Sequence, residues 1–398
     1  MPDLISVADA RRLVLEAVKP LPAERIPVTD ALGRVLAEQV SAATDVPPFP
    51  ASAMDGYAVY DGPAGRRLEV VSESRAGAPS DRTLGQGEAI RISTGAAVPE
   101  GATAVIPQEE VEVHDGSIVL AAEVRSGAHI RLTGEVMTAG TPVLAAGIEI
   151  GPAELAAAIG AGAGELVVAR RPVVRVLSTG DELRDPGAPL GPGEIHNSNG
   201  PVLAAMAARC GALAEPPGRL PDDRAATEAG LRDALADADV AIVSGGVSVG
   251  PHDHVKPALA KLGVKQHWWG VALQPGKPTW FGTLGETLVF GLPGNPVSAA
   301  VTFSLFVAPA LAALQGAPFP ATIGEAVLGA PVRRNPRREQ AIRVRLEQRQ
   351  GSTVALPNGP QGSHVVTSLV GADALALIAP GEGSLEPGTT VALAPLVR

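Results

Sequence analysis

A single cysteine, Cys210, is all that 398 residues contain, which excludes an intramolecular disulfide and any cysteine-built metal site. It lies in an apolar, helix-like stretch and reads as a buried bystander. Aromatic residues make up only 3%, so the cores must be built mostly from Ala, Val, Leu and Ile. Positive charge is also short: 32 Lys and Arg face 42 Asp and Glu, a net charge of −10. That balance argues against wrapping duplex nucleic acid, although a local patch can still hold a small phosphorylated ligand. No run approaches about 18 consecutive strongly apolar residues, so no membrane span is expected. The start, MPDLISVADARRLV, carries acidic residues and lacks the apolar core of a signal peptide. The expectation is a cytoplasmic enzyme or binding protein.

What the chain has in quantity is Gly (46) and Pro (37), scattered rather than periodic, which means many turns rather than collagen or disorder. Its length suffices for two to four domains. Ser6 is placed to cap a helix whose apolar face is Leu13, Val14, Ala17 and Val18, and Pro20 and Pro22 stop it. From about 44 to 137 the texture is short alternating β-type runs. Among them, Glu110–His114 and Ser117–Leu120 flank Asp115-Gly116 as a hairpin would. This reads as a small β-rich domain inserted into something larger.

From about 171 to 315 strand, loop and helix alternate. Val173–Leu177, Val240–Val243 and Leu288–Phe290 read as strands; Asn199–Cys210, Asp222–Ala236, Val255–Leu262 and Val297–Leu314 read as helices. Such alternation predicts a parallel sheet with helices on its faces, and ligands then bind beyond the carboxyl ends of the strands. From about 325 the β-type runs return, predicting a compact C-terminal β domain.

Three loops follow three predicted strands and share anion-binding features: Ser178-Thr179-Gly180-Asp181-Glu182, Ser244-Gly245-Gly246 onward to Ser248, and Gly291 through Pro293, Gly294 and Asn295 to Ser298. In the third, Asn295 is placed to cap and Pro296 to begin a helix, whose N-terminal N–H groups favour phosphate. Any one loop could be only a turn. Three at one edge of a sheet point to a small-anion pocket.

Carboxylates accompany these loops, each with a plainer alternative. Asp181 and Glu182 also suit a helix dipole, Asp222-Asp223 also suits a helix cap, and Asp55-Gly56 also suits a turn. The stretch His252-Asp253-His254 tempts a zinc reading. On a helix those two imidazoles would point about 200° apart, so Asp253 beside a phosphate loop, suited to Mg²⁺ or to a proton role, is the better candidate, with plain helix capping as its alternative. The Arg-rich run 331–339 is either a solvated β surface or the wall of an anion site. Trp268-Trp269 reads as core.

The motifs PPFPASAMDGYAV (47–59), STGAAVPEGATAVIPQEE (93–110), STGDEL (178–183), SGGVSVGPHD (244–253), PGKP (275–278), GLPGNPVSA (291–299) and QGSH (361–364) occur in the order of the MoeA/gephyrin E-domain family, the molybdopterin molybdenumtransferases, and the chain resembles that family over essentially its whole length. The resemblance implies a multidomain α/β plus β fold in four parts. These are an elongated N-terminal connector domain (1–43 and 138–170), an inserted β-rich domain (44–137), a central molybdopterin-binding parallel α/β domain (171–318) and a C-terminal β-barrel domain (319–398). It implies a homodimer whose active site is shared between subunits, with a molybdopterin adenylyltransferase and apo-molybdoenzymes as further partners. The implied reaction is Mg²⁺-dependent insertion of molybdate into adenylylated molybdopterin, with release of AMP.

Carried over by position, the resemblance implies catalytic roles for Asp55, Asp181, Glu182, Asp222, Asp253 and Lys277. It implies Mg²⁺ ligation by Glu182 and Asp253, and substrate contacts from Thr94, Ser363, Arg343 and the three loops. Asp55 and Thr94 would face the partner subunit's site. Three positions depart from the family pattern: Val136 stands where an aspartate is usual, and Gly270 and Gln274 where well-known members carry lysines. Lys277 is one of only five lysines in the chain and the single candidate near that loop. Loss of two cations leaves an alternative open, a catalytically weak paralogue that binds molybdopterin or the cofactor as carrier or scaffold.

Overall fold

The computed structural model describes residues 4–246, 254–349 and 351–398. Ser248, His252 and Asp253 lie outside the described residues. By internal contact the chain forms two compact units, one of Met1–Glu24, Gly33–Ala37 and Val168–Arg398, the other of Arg25–Leu32 and Glu38–Val167.

The larger unit is built on a seven-stranded sheet. Its strands run in the order Leu213–Ala214, Val173–Thr179, Val240–Ser244, Thr287–Leu292, Trp280–Leu284 and Lys265–Trp269, with Gly218–Leu220 also beside Val173–Thr179. The strands through Thr287–Leu292 are parallel, as the alternation predicts. The last two are antiparallel, which corrects the expectation of an all-parallel sheet. Trp280–Leu284 reaches Thr287–Leu292 through Gly285-Glu286 alone, with Gly285 at φ +57°. Two residues can close a hairpin but cannot carry the crossover that a parallel partner requires.

Apart from Arg175, which pairs with Asp237 and Glu215, the three central parallel strands are mostly apolar because both faces of the sheet are covered. Val174, Val176, Val240, Ile242, Leu288 and Phe290 enter one core, and Leu177, Ala241, Val243 and Val289 the other. Register fixes where the loops begin. Ser178 pairs with Ser244, and Ser244 with Leu292, so the three strands end level and their loops open side by side.

The N-terminal helix is Val7–Ala17, with the Ser6 hydroxyl accepting from the Asp9 N–H. Val7, Ala10 and Val14 are its buried residues, while Val18 has left the helix at ψ 134°. Residues Pro296–Leu314 form one apolar helix, interrupted by a π turn at Phe303–Val307. Against the sequence expectation, this helix is long and apolar enough to span a membrane, with mean hydropathy 2.0, but 89% of the window lies buried inside the fold. It is the central core helix.

The C-terminal strands close on themselves. Glu339–Arg349, Ser352–Pro357, Gly324–Leu328, Thr390–Pro395 and Ala374–Ile378 pair in that order, and Ala374–Ile378 pairs back onto Glu339–Arg349. The result is a five-stranded barrel around Leu328, Val344, Ala355, Ala376 and Leu393. Leu273–Gln274 adds to it in parallel at Glu339–Gln340, which brings the segment leading to Lys277 onto the barrel.

The smaller unit holds a six-stranded sheet in the order Ala104–Pro107, Gly56–Val59, Glu88–Ile92, Arg67–Ser74, Ser117–Leu120, Val111–His114. The expected hairpin is present: His114 pairs with Ser117 and Gly116 sits at φ +67°. Asp55-Gly56 is not a turn. Gly56 opens a central strand, and a Cβ there would lie 1.9 Å from the Ile106 carbonyl oxygen, so no other residue fits.

Candidate functional site

The three level loops enclose a cleft of about 420 Å³ lined by Ser178, Thr179, Gly180, Glu182, Asp222, Ser244, Gly245, Gly246, Gly294 and Asn295, among others. Gly245 and Gly246 hold φ +90° and +63°, and a Cβ on either would come within 3.0 Å of the Thr179 hydroxyl. Side-chain-free backbone is therefore obligatory where the first and second loops meet. Ser178 is 1% exposed and, among the described residues, its hydroxyl has no hydrogen-bond partner. A buried hydroxyl left unpaired costs free energy, so this one is a ready anchor for a ligand oxygen.

Asn199 joins two of the loops. Its Nδ2 donates to Ser244 Oγ at 2.8 Å and to the Gly294 carbonyl at 2.7 Å. Sequence reasoning missed Asn199, and also the lining residues His196, Asn197 and His364, because they come from a short strand, a helix start and the barrel rather than from the glycine loops. The helix start Ser198-Asn199, where the side chain of Ser198 makes no capping bond, was the available signal.

The acidic residues divide by role. Asp223, not Asp222, caps the helix Arg224–Leu235, accepting from the Ala226 N–H. Asp222 is thereby released toward the first loop. Its N–H donates to Asp181 Oδ1 at 3.1 Å, and the Asp181 N–H lies 3.5 Å from Asp222 Oδ2. This reciprocal clasp holds the two loops together, and Glu182 and Asp222 face the cleft.

A second cleft, of about 320 Å³, adjoins the first through Asn295. It is lined by Gln274, Pro275, Gly276, Lys277, Pro278, Ser298, Arg338, Gln361, Gly362 and Ser363. Asn295 occupies the N-cap backbone position but makes no side-chain cap; its Nδ2 donates instead to Ser363 Oγ at 3.1 Å. Arg343 does not line either cleft. It is fully buried behind the 361–363 loop, its Nε donating to Ser368 Oγ and its Nη2 to the Gly362 carbonyl, while Nη1 is unpartnered. Burial pushes its pKa down to about 10, so it remains a cation near neutral pH. Pro293 only accepts, from Ser244 Oγ through its carbonyl.

In the smaller unit Asp55 Oδ1 accepts from both the backbone N–H (2.6 Å) and the hydroxyl (3.0 Å) of Thr94. Pairing of Gly56 with Ile92 sets the two side by side. The Thr94 N–H, then its hydroxyl, holds the Asp55 carboxyl below the ordinary 3.8. Val136 is 64% exposed. Among the described residues, no group of three or more His, Cys, Asp or Glu side chains is placed to hold a metal ion.

A cleft of N–H and hydroxyl donors edged by two carboxylates, beside a second cleft lined by two cations, is an arrangement suited to small anionic ligands on an α/β fold. Three family models match: the MoeA N-terminal region (domain I and II) over residues 5–162, a probable molybdopterin binding domain over 175–313, and the MoeA C-terminal region (domain IV) over 325–396. Molybdopterin molybdenumtransferase 2 of Mycobacterium tuberculosis is 37% identical over 382 residues, covering 93% of this chain and 94% of that protein. The Haemophilus influenzae molybdopterin molybdenumtransferase is 35% identical over 402 residues, covering 98% of each. A crystal structure of the molybdopterin biosynthesis moeA protein of Pyrococcus horikoshii OT3 superposes with a TM-score of 0.81 at 28% identity, over 99% of this chain and 100% of that one. The chain belongs to the MoeA family of molybdopterin molybdenumtransferases.

Proposed function

We propose that the protein inserts molybdenum from molybdate into adenylylated molybdopterin, releasing AMP, in the cytoplasm. The observation that carries this reading is the pair of adjoining clefts with a common wall at Asn295. The larger, with Gly245, Gly246, Ser178, Thr179 and Ser244, suits the phosphorylated pterin; the smaller, with Lys277, Ser298 and Ser363, suits the oxyanion. Preorganised N–H groups and cations act on charge that develops at such a centre without having to reorganise.

The resident metal implied by the family is Mg²⁺. Glu182 is a hard oxygen donor at the first cleft and suits that ion, which takes one or two carboxylates and completes its shell with water and phosphate oxygens. Glu182 and Asp253 would hold it, and when bound it would withdraw charge from the phosphate oxygens. Asp181 and Asp222 fix the loop that carries Glu182. The Asp55–Thr94 pair, exposed on the smaller unit, would complete the site of the partner subunit in a homodimer.

Purified protein given adenylylated molybdopterin, Mg²⁺ and molybdate should release AMP and yield cofactor that reactivates an apo-molybdoenzyme. Asp253→Asn should abolish turnover; full activity in that variant removes its assigned role. The exposed Val136 and the neutral Gly270 and Gln274 favour the second reading, a carrier or scaffold, and binding of molybdopterin without any AMP release would establish it.

A further inference from the structure

We infer that Arg184 and Arg219 are positioning residues for Glu182, clamping the backbone around it so that its carboxylate stays in the larger cleft. The inference rests on the reading of Glu182 as a metal ligand and deepens it. Glu182 lines that cleft, and its carboxylate is folded back over Gly180: a Cβ on Gly180, at φ +142°, would lie 2.7 Å from Glu182 Oε1. Among the described residues that carboxylate makes no hydrogen bond and no ion pair. Where it sits is therefore decided by the main chain beneath it.

The carbonyls of Asp181, Glu182 and Leu183 are all held. Arg184 Nη1 donates to the Asp181 carbonyl at 2.9 Å and to the Leu183 carbonyl at 2.8 Å. Arg219 donates through Nη1 to the same Leu183 carbonyl. The Glu182 carbonyl between them accepts from the Ile195 N–H at 2.9 Å. Arg184 is itself anchored, its Nη2 pairing with Glu194 Oε1, and Glu194 Oε2 accepts from the Gly191 N–H at 2.7 Å. The Gly191 N–H first, then the Arg184 guanidinium and the field of Arg219, hold the Glu194 carboxyl below its ordinary 4.5, so the anchor is ionised at neutral pH. The two arginines come from different strands. Arg184 lies on Leu183–Arg184 beside Ile195–His196; Arg219 lies on Gly218–Leu220, beside the end of the strand that leads into the Glu182 loop.

Cations beside a site for a cation are an electrostatic cost, because a guanidinium repels a bound divalent ion. Geometry is what they offer in return. A charge-assisted bond is about twice as strong as a neutral one, and the guanidinium fork can grip two carbonyls and a carboxylate at once. Position and field therefore predict effects of opposite sign on metal affinity.

The test counts Mn²⁺, standing in for Mg²⁺, bound by the full-length protein with adenylylated molybdopterin and no molybdate, from the electron paramagnetic resonance signal of the free ion. Arg184→Gln should weaken Mn²⁺ binding about tenfold, the worth of a charge-assisted hydrogen bond. Loss of a cation that acted through its field alone would tighten it instead. Arg219→Gln, at an exposed residue, should weaken binding by a smaller factor, since Arg184 keeps its hold on the shared carbonyl. Arg184→Lys, which retains the charge without the fork, should fall between the parent and Arg184→Gln. Glu182→Gln should weaken the ion strongly in the parent and little further in the Arg184→Gln background. The metal-free affinity for adenylylated molybdopterin should stay unchanged in both arginine variants. In turnover, their Mg²⁺ concentration for half-maximal AMP release should rise while the limiting rate holds. Mn²⁺ binding by Arg184→Gln and Arg219→Gln as tight as the parent's, or tighter, overturns the positioning role; so do additive losses from Glu182→Gln and Arg184→Gln. A parent protein that takes adenylylated molybdopterin but no Mn²⁺, or a Glu182→Gln variant that binds Mn²⁺ undiminished, sinks the metal reading of Glu182 itself, and this inference with it.

Discussion

The two clefts carry opposite patterns of charge in their linings. Among the described residues, the larger is lined by neither lysine nor arginine and by two carboxylates, which leaves backbone N–H groups, hydroxyls, amides and imidazoles as its donors. Among the described residues, the smaller is lined by two cations and no carboxylate. The difference suits two kinds of guest: one large and multidentate, held by many fixed dipoles, the other compact and doubly charged, held by field. Dipoles built into a backbone cannot be screened or titrated away, whereas exposed cations respond to salt.

The sharpest way to break the comparison is to fill the larger cleft. Gly245→Val places a Cβ 2.7 Å from Thr179 Oγ1 and 3.1 Å from its carbonyl oxygen, at φ +90°. The backbone strain alone is about 1–3 kcal/mol. Molybdopterin binding should fall below detection in a titration, while molybdate still enters the smaller cleft. The converse change, Lys277→Ala, should weaken molybdate about tenfold to a hundredfold and leave molybdopterin binding intact. Raising the ionic strength should likewise weaken molybdate binding much more than molybdopterin binding. Asn199→Ala leaves Ser244 Oγ and the Gly294 carbonyl without their donor, and should lower stability by about 1–2 kcal/mol in a denaturant titration.

The smallest effect belongs to a carboxylate outside both clefts. The Asp55 carboxyl titrates below 3.8 because Thr94 donates to its ionised form. A depressed folded-state value means that the bond stabilises above the unfolded value and is lost as pH falls through the folded one. A carbon-detected titration should find Asp55 below 3.8, and Thr94→Val should move it part of the way back, since the backbone donor remains.

Much of the larger cleft was legible because the relevant signals are local. An apolar run followed by Gly and Ser marks where a strand ends, and Pro296 marks where a helix begins. What stayed hidden depends on partners far away in sequence. Nothing near Asp222 tells that its neighbour Asp223 takes the capping duty. Nothing near Asn295 tells that its amide turns to Ser363, 68 residues on. The closure of the barrel and the antiparallel edge of the sheet are likewise pairings between distant segments. In the sequence Arg338 is one member of a basic run; what sets it apart is the turn around Asn335, whose side chain accepts from the Arg337 and Arg338 N–H groups.

The single amide of Asn295 stands in both clefts, with one hydrogen bond to the barrel loop and its backbone at the head of the core helix. Chemistry between two guests depends on their separation as much as on how tightly each is held. Replacing this amide with a methyl group should leave each guest its own affinity and yet uncouple them, so that a doubly loaded protein turns over no faster than a singly loaded one.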